Sequence, residues 1–267
     1  MAKRLFLNER QVWLKQYRSG NRRVALGLLD RIARGLSIEA LRPPPHHVGE
    51  QAQNNEARRV RELKAADVNV PEVLGEGRAM LLLADIGISL SGCLKQARGN
   101  PARRDHLVSL AIDSIADVHA KGLYLGNPVP RNMTFGNDCI GFLDFEEDPG
   151  EIMSRDVAQA RDWLLFVHGT ARFYPDEQAA LATLLKAGLD RSSPDVRQRV
   201  IDAGSRLSRI AAMFWPFQRG NGKTQSALRT LRHLAGHALL VAMALASLAL
   251  GDDDGFPLHM NIMGIFV

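Results

Sequence analysis

The stretch Leu125-Gly126-Asn127-Pro128-Val129-Pro130-Arg131-Asn132, followed by CIGFLDFEED at 139–148, decides how this chain is read. Pro128 and Pro130 remove backbone donors and fix φ, so 123–135 is expected to be irregular. Residues 139–145 are short and apolar, as in a buried strand. Asp144 lies between Leu143 and Phe145 at its end. A carboxylate there is costly unless a metal ion or hydrogen bonds satisfy it. Asn132 suits a turn and also offers a hard oxygen. Just upstream, Leu107, Leu110, Ala111, Ile115 and Val118 put one apolar face on a helix from Arg103 to His119, ended by Gly122. The order is helix, polar loop, apolar strand, acidic turn.

Toward the amino terminus the periodicity turns to strand. Residues 3–7 and 11–17 read as a hairpin, and Lys15 alternates with Trp13 and Tyr17 on one strand face. Residues 22–36 read as helix, with Val24, Leu28, Ile32 and Leu36 recurring every four positions, before Pro43-Pro44-Pro45 breaks the chain. A second helix is expected over 54–66, capped by Asn54 or Asn55 and carrying Glu56 and Glu62. VNVPEVL (68–74) and AMLLLADI (79–86) read as strands around a turn at Gly75-Glu76-Gly77. Beyond Asp156 the chain reads as helices, over 156–171, 175–188, 194–213 and 224–250. The class is therefore α+β, with a strand-rich part over 1–87 holding Lys15 and Glu56, and a helical part over 88–267 holding the loop 123–148. Clefts between such parts are common ligand sites.

Among 267 residues, 46% are hydrophobic and 24% charged, so a full core is possible and disorder is excluded as the default. The net charge of +5 is uneven: residues 1–64 hold 14 Lys/Arg against 6 Asp/Glu. A basic amino-terminal part suits an anionic partner or an ordinary solvated face. Cys93 and Cys139 have no zinc-ligand spacing, and Met1-Ala2-Lys3-Arg4-Leu5 lacks the apolar run of a secretory signal. Both facts fit a reducing, cytoplasmic setting. The 17 residues 234–250 carry no formal charge. They are expected as a buried helix, with a membrane-seated helix as the alternative.

Taken in order, Lys15 in QVWLKQY, Glu56 in NNEARRVREL, the loop with Asn127 and Asn132, and Asp144 in FLDFEEDP resemble the protein-kinase signature set. The kinase loop H-R-D-x-x-x-x-N separates its Asp and Asn by five positions, as Asn127 and Asn132 are separated, and Asp144 follows twelve residues later. DVHAKGLYLGN resembles the LH..G..HGD run of kinases acting on small molecules and sugars. KQYRSGNRRVALGLLDRIARGL, NEARRVRELKAADVNVPEVL and MLLLADIGISLSGCL are similar to segments of bacterial lipopolysaccharide-core sugar kinases, the Kdo and heptose kinase group. The resemblance covers about residues 3–165. It implies a two-lobed protein-kinase-like fold that uses ATP and Mg²⁺. Lys15 would hold phosphates, Glu56 would orient Lys15, and Asn132 with Asp144 would hold the metal. The acceptor would be a hydroxyl of a sugar or anionic glycolipid, met at the cytoplasmic face of the inner membrane. No nucleic-acid partner is expected.

Three departures set this chain apart from that pattern. Leu125 stands where the kinase loop has His, Asn127 stands where it has the catalytic Asp, and only fourteen residues precede Lys15, with no glycine-rich loop. An amide is no general base near neutral pH. Two functions from different classes follow: an ATP-dependent phosphotransferase, or a pseudokinase that binds nucleotide or a partner without efficient turnover. A membrane-associated structural protein is a third, resting on 234–250. Several side chains also have plainer readings. Lys15 suits a solvated strand, and Glu62 competes with Glu56 or pairs with Arg58 or Arg59. Glu146, Glu147 and Asp148 are extra ligands, a substitute carboxylate, or a solvated turn. Asp156 is expected as a helix cap or a brace for the loop, and His119 as a packed residue below it. Arg18, Arg22, Arg23, Arg31 and Arg34 suit an anionic surface or ordinary solvent.

Overall fold

A computed structural model describes residues 2–7, 9–17, 30–31 and 33–214, with the backbone alone for 207–214. Strands β1 (Ala2–Leu7) and β2 (Arg10–Gln16) form the expected antiparallel hairpin, Leu5 facing Val12. β3 (Val73–Gly77) and β4 (Met80–Ala84) complete a four-stranded antiparallel sheet in the order β1-β2-β4-β3. In β4 the alternation is the period of a half-buried strand: Leu81 and Leu83 face inward and Leu82 does not. Helix α1 (Glu50–Ala65) covers that face, and Ala52 and Ala57 pack with Tyr17, Leu81 and Leu83 into a small core.

A larger core belongs to the helices. These are α2 (Leu90–Gln96), α3 (Pro101–Ala120), α4 (Arg155–Ala171), α5 (Gln178–Asp190) and α6 (Pro194–Phe214). Helix α3 starts where Pro101 follows Asn100, whose side chain accepts from the Arg103 N–H. Its apolar stripe Leu107, Ala111 and Ile115 meets Trp163 and Phe166 of α4 and Leu181 and Leu185 of α5. Helix α4 is buried on nearly every side, which makes it the axis of this part. Val60 and Leu63 of α1 also join the larger core, so one helix serves both. A second small sheet, β5 (Ile88–Ser89), β6 (Met133–Gly136) and β7 (Cys139–Phe142), lies against these helices in the order β5-β6-β7. The chain is thus α+β, with an antiparallel sheet first and helices after it.

Several expected boundaries move. Helix α1 begins at Glu50 rather than at residue 54, with Gly49 at φ 57° before it and no side-chain cap. Gly75-Glu76-Gly77 is strand, not turn; the chain reverses at Arg78-Ala79, where Ala79 takes φ 53°. Glycine is tolerated there because β3 is an edge strand with a register irregularity between Val73 and Gly75. Residues 133–136 form β6 despite the prolines just before them, and 90–96 form α2 in a stretch read only as connector. Of the helix expected over 22–36, residues 30–31 and 33–35 are helical. The helix over 224–250, the apolar run 234–250, and Arg18, Arg22 and Arg23 lie outside the described residues. Among the described residues no helix is long and apolar enough to cross a membrane.

Gly188 of α5 faces α3 and α4 so closely that an added Cβ would come within 2.7 Å of Trp163 and closer still to Ile112. Gly188→Ala should therefore cost about 1–3 kcal/mol by overpacking. Gly92 in α2 has nothing within 4 Å of an added Cβ. Gly92→Ala should be neutral or gain up to about 1 kcal/mol from helix propensity. Urea denaturation of the two variants checks both signs.

Candidate functional site

Lys15, Glu56 and Asp144 come from three distant segments and meet at one ammonium. Lys15 Nζ donates to Glu56 Oε2 at 2.6 Å and to Asp144 Oδ1 at 2.5 Å, with Glu146 Oε2 at 3.5 Å. Each contributor is placed by its backbone. β2 turns Lys15 toward α1, α1 presents Glu56 from its buried face, and the chain leaving β7 delivers Asp144 and Glu146. Burial alone would push the Lys15 ammonium down, but the charges of Asp144, Glu56 and Glu146 outweigh it and hold its pKa well above the ordinary value. Burial raises the Glu146 carboxyl; Lys15 opposes this, while Asp144 and Glu56 add to it. Tyr17, the residue just after β2, donates its hydroxyl to the same Glu56 Oε2 at 2.6 Å.

Asp144 takes φ 69°, a left-handed conformation that costs a non-glycine residue energy and is typical of functional turns. Asn132 is tied to it: the Leu143 N–H donates to the Asn132 carbonyl at 2.8 Å, and Asn132 Nδ2 donates to Asp144 Oδ2 at 3.3 Å. The same Nδ2 donates to the Asn127 carbonyl at 3.2 Å, so both ends of the six-residue segment 127–132 are linked. The oxygens of Glu56, Asp144 and Glu146 approach within 4.8 Å of one another, a spacing that fits a cation with hard oxygen ligands. A cation shared by Asn132 and Asp144 would need the Asn132 amide turned so that its oxygen faces the ion. Asn127 Oδ1 is buried and has no hydrogen-bond partner.

Helix α4 holds the loop through three polar residues on its buried turns, Gln159, Arg161 and Asp162. Asp162, fully buried, accepts from the Leu125 N–H and the Gly126 N–H, both at 2.7 Å, and its Oδ2 lies 3.0 Å from His119 Nε2. Arg161 donates to the carbonyls of Gly126, Ala40 and Arg42. Gln159 donates to the carbonyls of His119 and Leu123. Gly126 is required here. It sits at φ 93°, and a Cβ would meet Pro149 Cδ at 3.1 Å.

The acidic run after Asp144 is mostly engaged elsewhere. Asp148 accepts from Arg58, from the Tyr124 hydroxyl at 2.6 Å and from the Gly150 N–H at 2.9 Å. His46 reaches Glu147, while His47 and Asn55 reach Glu151. These contacts staple residues 147–151 to the segment that enters α1 and to α1 itself. Glu146 alone of the run faces Lys15. Asp156 is not the loop brace: it lies in the first turn of α4, half-exposed, with Arg155 Nε at 3.5 Å. The brace is Asp162, six residues on, because only the inward face of α4 looks at the loop. His119 is packed below the loop, against Trp163 and Asp162. Glu62 pairs with Arg59 at 2.6 Å and Arg58 at 3.8 Å, leaving Glu56 to Lys15. Tyr17, Arg161 and the bracing role of Asp162 were missed in the sequence. The signal for Arg161 and Asp162 is a charged pair at the head of the apolar run WLLFV (163–167).

Asp162→Ala should lose at least about 2 kcal/mol, since it strands two buried N–H groups, whereas Asp156→Ala should change stability by no more than about 1 kcal/mol. Chemical denaturation distinguishes the two braces. A pH effect is expected at Asp148. Burial would raise its carboxyl, but the hydrogen bonds from Tyr124 and Arg58, the charge of Arg59 and the Gly150 N–H together lower it. Its stabilisation is complete above the ordinary Asp value of about 3.9 and is lost as pH falls through the lowered folded value. Urea midpoints should therefore fall more steeply below about pH 4 in the parent protein than in Arg58→Gln.

A scan of protein-family models finds none that matches this chain, and a search of curated proteins also returns no match, so the chemistry of the site rests on its geometry.

Proposed function

We propose that the chain is a kinase-like protein whose cleft binds ATP with Mg²⁺, and that it transfers phosphate slowly, if at all, to a hydroxyl of a sugar or glycolipid. One observation carries this reading: Lys15, Glu56 and Asp144, far apart in sequence, converge on a single ammonium, with Asn132 bonded to Asp144. Phosphoryl transfer depends on positioning and charge neutralisation, and these groups supply both. In the proposed complex Lys15 exchanges Asp144 for phosphate oxygens and keeps Glu56. Asp144 and Asn132 turn their oxygens to the cation. Mg²⁺, when bound, neutralises phosphate charge at that point. Asn127 hydrogen-bonds the acceptor hydroxyl but takes no proton from it.

The two-lobed kinase-like arrangement, with the cleft between the sheet part and the helical part, belongs to the same proposal. The lipopolysaccharide-type acceptor rests on the resemblance of residues 15–94 and on the basic excess of residues 1–64, which suits an anionic glycolipid at a membrane surface. A pseudokinase is the second reading. The observation that favours it is Asn127, whose uncharged side-chain oxygen is buried without a partner.

Asp144→Asn should weaken Mg²⁺-dependent ATP binding by at least about ten-fold with little change in unfolding midpoint. Unchanged binding in that variant excludes the proposed metal role. Asn127→Asp should raise any turnover by about 10²–10⁴-fold, the usual worth of a general base. If nucleotide binds and the variant stays inactive, the pseudokinase reading holds. Robust turnover in the parent that Asn127→Asp diminishes refutes the role given to position 127 and points to Glu146.

A further inference from the structure

Lys15 carries one charge and faces three carboxylates. Its Nζ lies 2.6 Å from Glu56, 2.5 Å from Asp144 and 3.5 Å from Glu146. Distance alone does not decide which of them keeps the ammonium when another anion competes. Burial separates them: the Glu56 side chain is 2% exposed, against 36% for Asp144 and 34% for Glu146. Water can replace Lys15 at the two exposed carboxylates but not at Glu56. Glu56 therefore needs a second donor that does not leave with Lys15.

We propose that Tyr17 is a positioning residue for Lys15, acting through Glu56; the functional consequence rests on the nucleotide reading above. Tyr17 Oη donates to Glu56 Oε2 at 2.6 Å, the same oxygen that receives Lys15 Nζ. Tyr17 follows the last residue of β2, two positions after Lys15; its N–H donates to the Ala79 carbonyl at 2.9 Å and continues the alternation, so the two side-chain donors converge on one oxygen. The Tyr17 ring is itself fixed, packed in the small core with Ala52, Ala57, Leu81 and Leu83. The phenol is neutral and contributes no charge to compete for a phosphate. It holds the Glu56 carboxylate in one rotamer and keeps it hydrogen-bonded while Lys15 leans outward. Lys15 is then free to give up Asp144 and Glu146 for a phosphate without leaving a buried carboxylate unpaired.

The test uses Tyr17→Phe in the full chain, which keeps the ring and removes one donor. Two quantities are measured: affinity for MgATP by calorimetry, and the rate of Lys15 acylation by an amine-reactive ester, read by peptide mass spectrometry. Tyr17→Phe should bind MgATP about ten-fold more weakly, the worth of one hydrogen bond to a charged group. Lys15 should be acylated several-fold faster, because Glu56 no longer holds it in place. In a Glu56→Gln background, Tyr17→Phe should change neither quantity further. A folded Tyr17→Phe with unchanged affinity and unchanged labelling overturns the proposal. So does an equal loss in both backgrounds, which marks a purely structural contribution. If the parent protein binds no MgATP, the nucleotide reading fails and the acylation rates alone decide on Tyr17. If Tyr17→Phe does not fold, 3-fluorotyrosine at position 17 replaces it. Its ¹⁹F signal should shift on Lys15→Met, and a signal blind to that change overturns the proposal.

Discussion

The ammonium of Lys15 is the point on which this structure turns. It joins β2, α1 and the turn after β7, three segments that no backbone ladder connects. Glu56 is almost wholly buried, and removing one partner from such a pair typically costs about 3–5 kcal/mol. The neighbouring core is small, only Tyr17, Ala52, Ala57, Leu81 and Leu83, so the ion cluster is a large part of what seats α1 on the sheet. Three carboxylates around one ammonium leave an excess of negative charge. That excess is costly in itself, and a bound cation would offset it.

Helix α4 is the second constraint, and it acts on the loop rather than on the sheet. Its apolar residues form the axis of the larger core, while Gln159, Arg161 and Asp162 point at residues 119–126 and at the segment 40–42. Buried charges on a core helix are expensive, and here each is matched to backbone groups that would otherwise be unpaired. The result is a rigid support for an irregular loop. Strain is stored next to it at Asp144, with φ 69°, while Gly126 takes φ 93° without that cost because it has no Cβ. Those two positions flank the groups proposed to meet nucleotide and acceptor, as expected where a fold spends stability on geometry.

The hairpin, the change from strands to helices along the chain and the helices between residues 155 and 214 were legible in the sequence, because each rests on a strong period of apolar residues. Glu56 was separable from Glu62 only through an ordered set of motifs, since both are charged residues on one polar helix. Local chemistry misled where two rules compete. Asp156 reads as a helix cap or loop brace in the sequence, but Ser154 is the N-cap and the loop is held from the inward face of α4, a tertiary fact that no cap rule contains. Gly75 and Gly77 looked like a turn, yet an edge strand tolerates them and Ala79 makes the reversal. Tyr17 read as a strand former; its hydroxyl gains meaning only once α1 is packed over β2.

The central claim is that the cluster around Lys15 is a nucleotide–metal site rather than a structural ion network. Calorimetric titration of ATP into the full chain, with Mg²⁺ and then with EDTA, addresses it most directly. The account predicts saturable binding at one site that depends on Mg²⁺, since Asp144 and Asn132 meet the phosphates only through the cation. Absence of binding, or equal affinity in EDTA, would contradict it.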